Sequence, residues 1–141
     1  MKFLAALLLI IVVGPAAGWL DLTVNGTVLC FYSTWGYQIK VWELDYFGDD
    51  FLGEVNKVVF DRPSSTYSLQ LRDPEYDGAG NNYYDLGYTI YFYCGPRSYD
   101  IKIATSHVHI HKKRFNEEMR FNLMRGDFDI VSTCDENSCD D

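Results

Sequence analysis

The sequence predicts an all-β fold, a two-sheet sandwich of about seven or eight strands. Short stretches of alternating apolar and polar residues follow one another along the chain, and turn residues separate them. The chain holds 11 tyrosines and 9 phenylalanines, a composition that favours strands. Helical periodicity is scarce, and two cysteines lie in phase with the apolar residues of their strands. Together these features indicate a layered β structure.

The two stretches that carry the cysteines, residues 22–30 and 88–94, are the clearest predicted strands. Successive side chains of a strand point to opposite faces of its sheet. In the first stretch the inward face therefore holds Leu22, Val24, Gly26, Val28 and Cys30. In the second it holds Ile90, Phe92 and Cys94. Each cysteine thus lies in phase with the inward apolar residues of its strand, which is the arrangement expected if one disulfide joins two sheets through a common core.

Four cysteines permit three pairings. Cys134 and Cys139 lie close together in an acidic, turn-rich tail and could close a small loop. That choice leaves Cys30 with Cys94, a pairing that the strand phase supports independently. Metal binding by the cysteines is not expected, because no Cys-x-x-Cys spacing is present.

The first 18 residues have the pattern of a secretory signal peptide. Lys2 precedes an apolar run over residues 3–13, and small residues occupy positions 16–18. A membrane-spanning helix needs about 20 apolar residues, more than this run provides. We expect cleavage after Gly18, secretion, and no transmembrane segment. Residues 19–133 then form the sandwich, and residues 134–141 form an acidic C-terminal tail.

The charge of the exported chain excludes one class of partner. Removal of the leader takes away Lys2 and leaves 11 basic against 20 acidic residues, a formal charge of −9. Nonspecific nucleic-acid binding requires a positive surface, so nucleic acid is not an expected partner.

Further strands are predicted at residues 37–42, 54–60, 67–72 and 99–104, with a connection at 31–36 and a long loop at 73–85. The inward positions change from odd to even numbers after Ile103, which predicts a turn or bulge near Thr105 and Ser106 that separates two strands. Residues 112–118 are predicted as a charged connection. Residues 119–124 are predicted as the last strand, with a helix as the alternative.

Three segments together resemble a known family: residues 24–30 (Val-x-Gly-x-Val-x-Cys), 39–45 (Ile-Lys-Val-Trp-Glu-x-Asp) and 49–54 (Asp-Asp-Phe-Leu-Gly-Glu). The family is the transthyretin-like family of secreted proteins, of the nematode type, and residues 90–94 and 101–103 resemble its later segments. The chain departs from the family pattern at Phe92-Tyr93, where His-Asp is usual, and at Ala104, where a proline is common. The resemblance implies a transthyretin-like (prealbumin/Ig-like) sandwich with an extracellular role.

The expected function is non-enzymatic binding, outside the cell or at the cell surface, without a cofactor. The partner would be an extracellular protein, a membrane-surface lipid or a small apolar ligand, and the chain could form a homo-oligomer. The alternative is a hydrolase related to hydroxyisourate hydrolase, which shares the fold. The terminal Tyr-Arg-Gly-Ser of those enzymes is half matched by Met-Arg-Gly-Asp at residues 124–127. No nucleophile-elbow pattern accompanies the serines and histidines.

Two surface regions are candidates for binding. Trp42, Tyr91 and Tyr93 all have outward phase, and exposed aromatic side chains on one sheet are typical of an interface. The alternative is that a loop or a dimer contact covers them. The second candidate is the basic cluster Lys112, Lys113 and Arg114, for which a solvated turn is the alternative.

Three further motifs are weaker. His107, His109 and His111 share one strand face and are candidate zinc ligands, although an exposed polar face is the simpler interpretation. Asn25 heads the glycosylation sequon Asn-Gly-Thr, but a glycan inside a strand can obstruct packing. Residues 125–127 spell Arg-Gly-Asp, the tripeptide that integrins recognise at turns.

Overall fold

The computed structural model describes residues 20–44, 48–73, 83–109 and 114–134. These residues form eight strands: β1 Leu20–Leu29, β2 Thr34–Glu43, β3 Asp50–Phe60, β4 Ser64–Asp73, β5 Tyr83–Cys94, β6 Arg97–His109, β7 Arg114–Asn122 and β8 Asp127–Cys134. The predicted all-β class and the strand number are confirmed. Over the same residues, no helix has the length and apolarity that crossing a membrane requires.

The strands form two four-stranded sheets. Sheet A has the order β4-β1-β7-β8, and sheet B has the order β3-β2-β5-β6. Neighbouring strands are antiparallel except β1 and β7, which run parallel. Because β1 belongs to sheet A and β2 to sheet B, the chain crosses from one layer to the other immediately after its first strand.

The core lies between the sheets and takes alternate residues from both. Sheet A contributes the buried residues Leu22, Val24, Val28, Tyr67, Met119, Phe121 and Leu123. Sheet B contributes Trp35, Tyr37, Ile39, Val41, Val59, Leu86, Tyr88, Ile90 and Phe92. The predicted inward faces of residues 22–30 and 88–94 are therefore confirmed, and the two sheets form a sandwich.

A disulfide joins the two sheets, as the strand phase predicts. Cys30 directly follows β1 and Cys94 ends β5; their Cα atoms lie 6.0 Å apart and both residues are fully buried. The bond therefore connects the end of a sheet A strand with the end of a sheet B strand. The predicted signal peptide, Cys139 and hence the predicted Cys134–Cys139 bond lie outside the described residues.

The predicted bulge near Thr105 is confirmed, but the prediction that it separates two strands is wrong. Residues 97–109 form one strand, β6, along the edge of sheet B. Leu86 pairs with Ser106, whereas the next residue, Gly87, pairs with Ala104, so Thr105 is an extra residue. Such a bulge reverses which residues face inward without ending the strand, and this explains the change of phase in the sequence.

The predictions for residues 112–124 also need correction. The predicted connection at 112–118 overlaps β7, which begins at Arg114, and the helical alternative for 119–124 is wrong. Residues 119–124 are not the last strand either, because β8 follows a turn at 123–126. Elsewhere the strands are longer than predicted: β2 begins at Thr34, inside the predicted 31–36 connection, and β5 begins at Tyr83, inside the predicted 73–85 loop.

Candidate functional site

The outer face of sheet B carries a groove of about 470 Å³. Strand register places two adjacent rows of side chains along it. One row consists of Val58, Gly36, Tyr93 and Ser98, on β3, β2, β5 and β6 in turn. The next row consists of Asn56, Gln38, Tyr91 and Asp100 on the same strands. We call the space lined by these two rows the tyrosine groove.

Tyr93 owes its position to a glycine on the neighbouring strand. A Cβ atom at Gly36 would lie 2.6 Å from Cε1 of Tyr93, so that any larger residue would require the ring to shift. A glycine inside a strand often permits such a close approach to the backbone. The Tyr93 ring thus rests across β2, and its other side is open, with 40% of the residue exposed.

Side chains of its own row and of the adjoining row surround Tyr91. The Nζ atom of Lys40 lies 5.6 Å from the centre of the Tyr91 ring, a cation–π contact. The Nε2 atom of Gln38 donates a hydrogen bond of 3.0 Å to Oε2 of Glu54, which orients the amide beside the ring. Tyr91 nevertheless remains 41% exposed. The groove therefore presents two partly fixed aromatic rings to solvent.

Trp42 lies on the same outer face but outside the tyrosine groove. Its indole N–H donates to Oγ1 of Thr89 at 3.1 Å, and its ring meets Phe51 edge to face at 5.3 Å. The row that contains Lys40 and Thr89 separates it from Tyr91. The structure therefore brings Tyr91 and Tyr93 together and leaves Trp42, half-buried, in a separate aromatic pair.

A polar cluster inside the core was not predicted. Glu117 is only 1% exposed, and its Oε2 accepts a hydrogen bond from the hydroxyl of Tyr88 on the facing sheet. The hydroxyl of Tyr37 is 3.0 Å from Oγ of Ser65. Burial raises the pKa of the Tyr67 phenol above its ordinary value, and the nearby Tyr37 and Glu117 raise it further. The signal for Glu117 was its phase, since it alternates inward with Met119 and Phe121.

The cluster is closed to substrates. Glu117 and Tyr88 lie between the sheets with almost no solvent contact, and the groove opens on the opposite side of sheet B. The physical role of this pair is to join sheet A to sheet B by a buried hydrogen bond to a carboxylate, which is stronger than one between neutral groups.

The remaining predicted site residues are spread over the molecule. Asn25 is exposed on the outer face of sheet A, in the central strand β1, between Ser68 and Glu118 of the neighbouring strands. His107 and His109 belong to β6 and Arg114 opens β7, but their side chains are not among those described. His111, Lys112 and Lys113 lie outside the described residues. Within those residues, no group of three His, Cys, Asp or Glu side chains could hold a metal ion.

The Arg-Gly-Asp tripeptide lies at the turn between β7 and β8. The backbone N–H groups of Arg125 and Gly126 donate to the Asn122 carbonyl at 3.2 and 2.8 Å. Gly126 has a φ of 76°, a conformation that favours glycine. Arg125, Gly126 and Asp127 are all exposed. The same turn contains the half match to the hydrolase tetrapeptide, and both interpretations of this segment stay predictions.

No family model matches the chain, and no curated protein matches it.

Proposed function

We propose that this chain is a secreted, non-enzymatic binding protein of the transthyretin-like family, which holds an extracellular partner in the tyrosine groove. The observation that carries the proposal is the difference between the two outer faces of the sandwich. A face that only covers a core has no need of exposed aromatic side chains, whereas binding surfaces are enriched in them.

The outer face of sheet A is polar. Along β1 and its neighbours it presents Thr23, Asn25, Thr27, Ser68, Gln70, Glu118 and Arg120. The outer face of sheet B carries five large exposed apolar residues: Phe51, Val58, Phe60, Tyr91 and Tyr93. Since an exposed apolar patch on a folded domain commonly marks a binding site, sheet B is the face that we assign to the partner.

The extracellular assignment rests on the predicted leader together with the buried disulfide. Disulfides form and persist in oxidising compartments, and the Cys30–Cys94 bond joins the two halves of the core. The test is to express the full chain in eukaryotic cells and to sequence the N-terminus of any protein in the medium. We expect a mature chain that begins at Trp19; retention of the protein in the cytosol would contradict the assignment.

The binding assignment is tested by capture from extracellular fluid, supplemented with liposomes and small apolar ligands. We expect Tyr91→Ala and Tyr93→Ala to lose the captured partner while the wild type retains it. Phe31→Ala is the matched control, because Phe31 is the most exposed large apolar residue described and does not line the groove. Equal capture by both tyrosine variants would exclude the tyrosine groove as the binding surface.

A further inference from the structure

The chemistry of the tyrosine groove points to a particular class of ligand. In the row that contains Tyr91, this residue lies between Gln38 on β2 and Asp100 on β6. Neighbouring strands lie about 4.8 Å apart, so an amide and a carboxylate flank the aromatic ring at roughly that distance. Asn56 follows Gln38 on the next strand. One ring is thus bordered by hydrogen-bonding groups on both sides.

The row that contains Tyr93 has a similar arrangement. Tyr93 rests on Gly36 and has Ser98 beside it on β6. Tyr91 and Tyr93 are two residues apart on β5, which separates them by about 6.7 Å along the strand. The groove therefore offers two neighbouring aromatic rings, each accompanied by at least one polar side chain.

We infer that the tyrosine groove binds a neutral oligosaccharide, an assignment that rests on the proposed binding function. A sugar ring has an apolar face of C–H groups and a rim of hydroxyls. The apolar face packs on an aromatic ring. The hydroxyls donate to the Asp100 carboxylate and exchange hydrogen bonds with the Gln38 and Asn56 amides, which both donate and accept. Two rings side by side accommodate two linked sugars, and the groove volume is in the range of small-molecule sites.

The charge of the groove favours a neutral ligand over an anionic one. Asp100 is the one carboxylate in the two rows, all of whose residues are described, and neither row contains a lysine or arginine. Lys40 lies in the adjoining row with its ammonium over Tyr91, and the Lys57 ammonium donates to the Thr66 carbonyl at 2.5 Å. A phosphate headgroup in the two rows would therefore meet the Asp100 carboxylate, and the cation nearest to Tyr91 is Lys40, in the adjoining row and in contact with the ring.

The composition of the lining favours a sugar over a proline-rich peptide as the ligand. Such peptides dock in slots between aromatic walls. Val58 is the single aliphatic side chain in the two rows, and the amide of Gln38 and the carboxylate of Asp100 occupy the places next to Tyr91. The lining thus matches a ligand with many hydroxyls better than one with apolar rings along its length.

The test is a calorimetric titration of the secreted full chain with cellotetraose, chitotetraose and mannotetraose. We expect saturable binding of at least one of them. Tyr91→Ala and Tyr93→Ala should each weaken it about tenfold or more, the loss expected for a central aromatic contact. Tyr91→Phe should stay within about threefold of wild type because the ring remains, and Asp100→Asn should weaken binding less than either alanine variant. Phe31→Ala should bind as wild type.

Several results would overturn the inference. One is that none of the three sugars binds; another is that binding survives both alanine variants. A third is that a proline-rich peptide or an anionic vesicle takes the groove instead, with the same dependence on Tyr91. Thermal unfolding of each variant checks that it is folded. If the sugars fail while Tyr91→Ala still loses an extracellular partner, only the saccharide assignment is wrong; if that capture is unaffected as well, the proposed function fails with it.

Discussion

Among the described residues, tyrosine rings rest on glycines at more than one place, and two of these pairs differ in position: one lies inside the sandwich and one outside. In the core pair, Tyr67 of β4 lies over Gly26 of β1, where a Cβ atom would be 2.5 Å from its Cζ. In the surface pair, Tyr93 lies over Gly36, at a corresponding distance of 2.6 Å. An aromatic ring that lies across the backbone of the neighbouring strand therefore occurs both in the core and on the outer surface of the sandwich.

The two pairs differ in the surroundings of the tyrosine hydroxyl group. The Tyr67 hydroxyl is buried and has no hydrogen-bond partner among the described residues, a condition that costs about 1–3 kcal/mol. Tyr93 is 40% exposed, and water is available to it. The core pair therefore fills the interior but leaves a polar group unsatisfied, whereas the surface pair leaves the Tyr93 ring partly exposed without that cost.

The largest effect is expected from removing the disulfide between sheet A, which holds the core pair, and sheet B, which holds the surface pair. Cys30→Ser combined with Cys94→Ser removes the bond between sheet A and sheet B. The free energy of unfolding should fall by about 4 kcal/mol, because the unfolded chain loses a long closed loop. Urea denaturation measures it, and reduced wild-type protein is the control. A loss under about 1 kcal/mol would show that packing and the Tyr88–Glu117 hydrogen bond hold the layers together without the disulfide.

A smaller loss is expected from Gly26→Ala in the core pair. The added methyl group would meet the Tyr67 ring and also the Met119 carbonyl oxygen at 2.6 Å, and a backbone atom cannot move away easily. We expect a loss of about 3 kcal/mol, at the upper end for overpacked cores, measured by urea denaturation. If this variant is as stable as wild type, Tyr67 can leave its position freely and the core pair is not a packing constraint.

The corresponding change in the surface pair, Gly36→Ala, should cost less stability and more function. Here the Tyr93 ring can swing into solvent, although the Lys57 carbonyl at 2.9 Å opposes the methyl group. The expected loss of stability is about 1 kcal/mol, at the lower end for overpacking. Binding at the tyrosine groove should weaken as it does in Tyr93→Ala. Equal destabilisation by Gly36→Ala and Gly26→Ala would remove the distinction between the two pairs.

The smallest effect is a gain. Tyr67→Phe removes the unpartnered hydroxyl and keeps the ring, so the free energy of unfolding at pH 7 should rise by about 1 kcal/mol. Tyr93→Phe is the matched control and should change stability little. A clear loss of stability in Tyr67→Phe would mean that the hydroxyl makes a favourable interaction in the core.

The same variant should also change the response to alkali. Burial raises the pKa of Tyr67 above its ordinary value of 10.0, and Tyr37 shifts in the same direction. Above pH 10 the unfolded chain releases these protons while the folded chain retains them. Stability is therefore complete below pH 10 and falls as the pH rises above it. Tyr67→Phe should show a shallower fall in urea denaturation between pH 10 and pH 11.

Alternation along single strands was enough to predict the layered fold and the disulfide. Phase within a strand is a local property, so the inward positions of Cys30 and Cys94 could be read directly. The surface pair could not be predicted in this way. That Gly36 lies beside Tyr93 depends on the pairing of β2 with β5, and these strands are far apart in sequence.

Charged residues within strands account for the main errors near the C-terminus. Glu117 interrupts the apolar alternation of β7, and its partner, the Tyr88 hydroxyl, lies on the other sheet. In β8 the apolar residues Phe128 and Ile130 alternate with Asp127 and Asp129, so that the segment has the composition of a loop. The hydrogen bond that Glu117 accepts and the pairing of β8 with β7 are not visible in a local pattern.

Lys57 has a consequence for behaviour at high concentration. It lies on β3, the edge strand of sheet B, and its ammonium reaches across to the Thr66 carbonyl of β4, the edge strand of sheet A. A positive charge at this margin would be stripped of water if a foreign strand were added there, and natural sheets use inward-pointing lysines against such addition. The Lys57 side chain therefore opposes the addition of a foreign strand along the side of the sandwich where β3 and β4 lie.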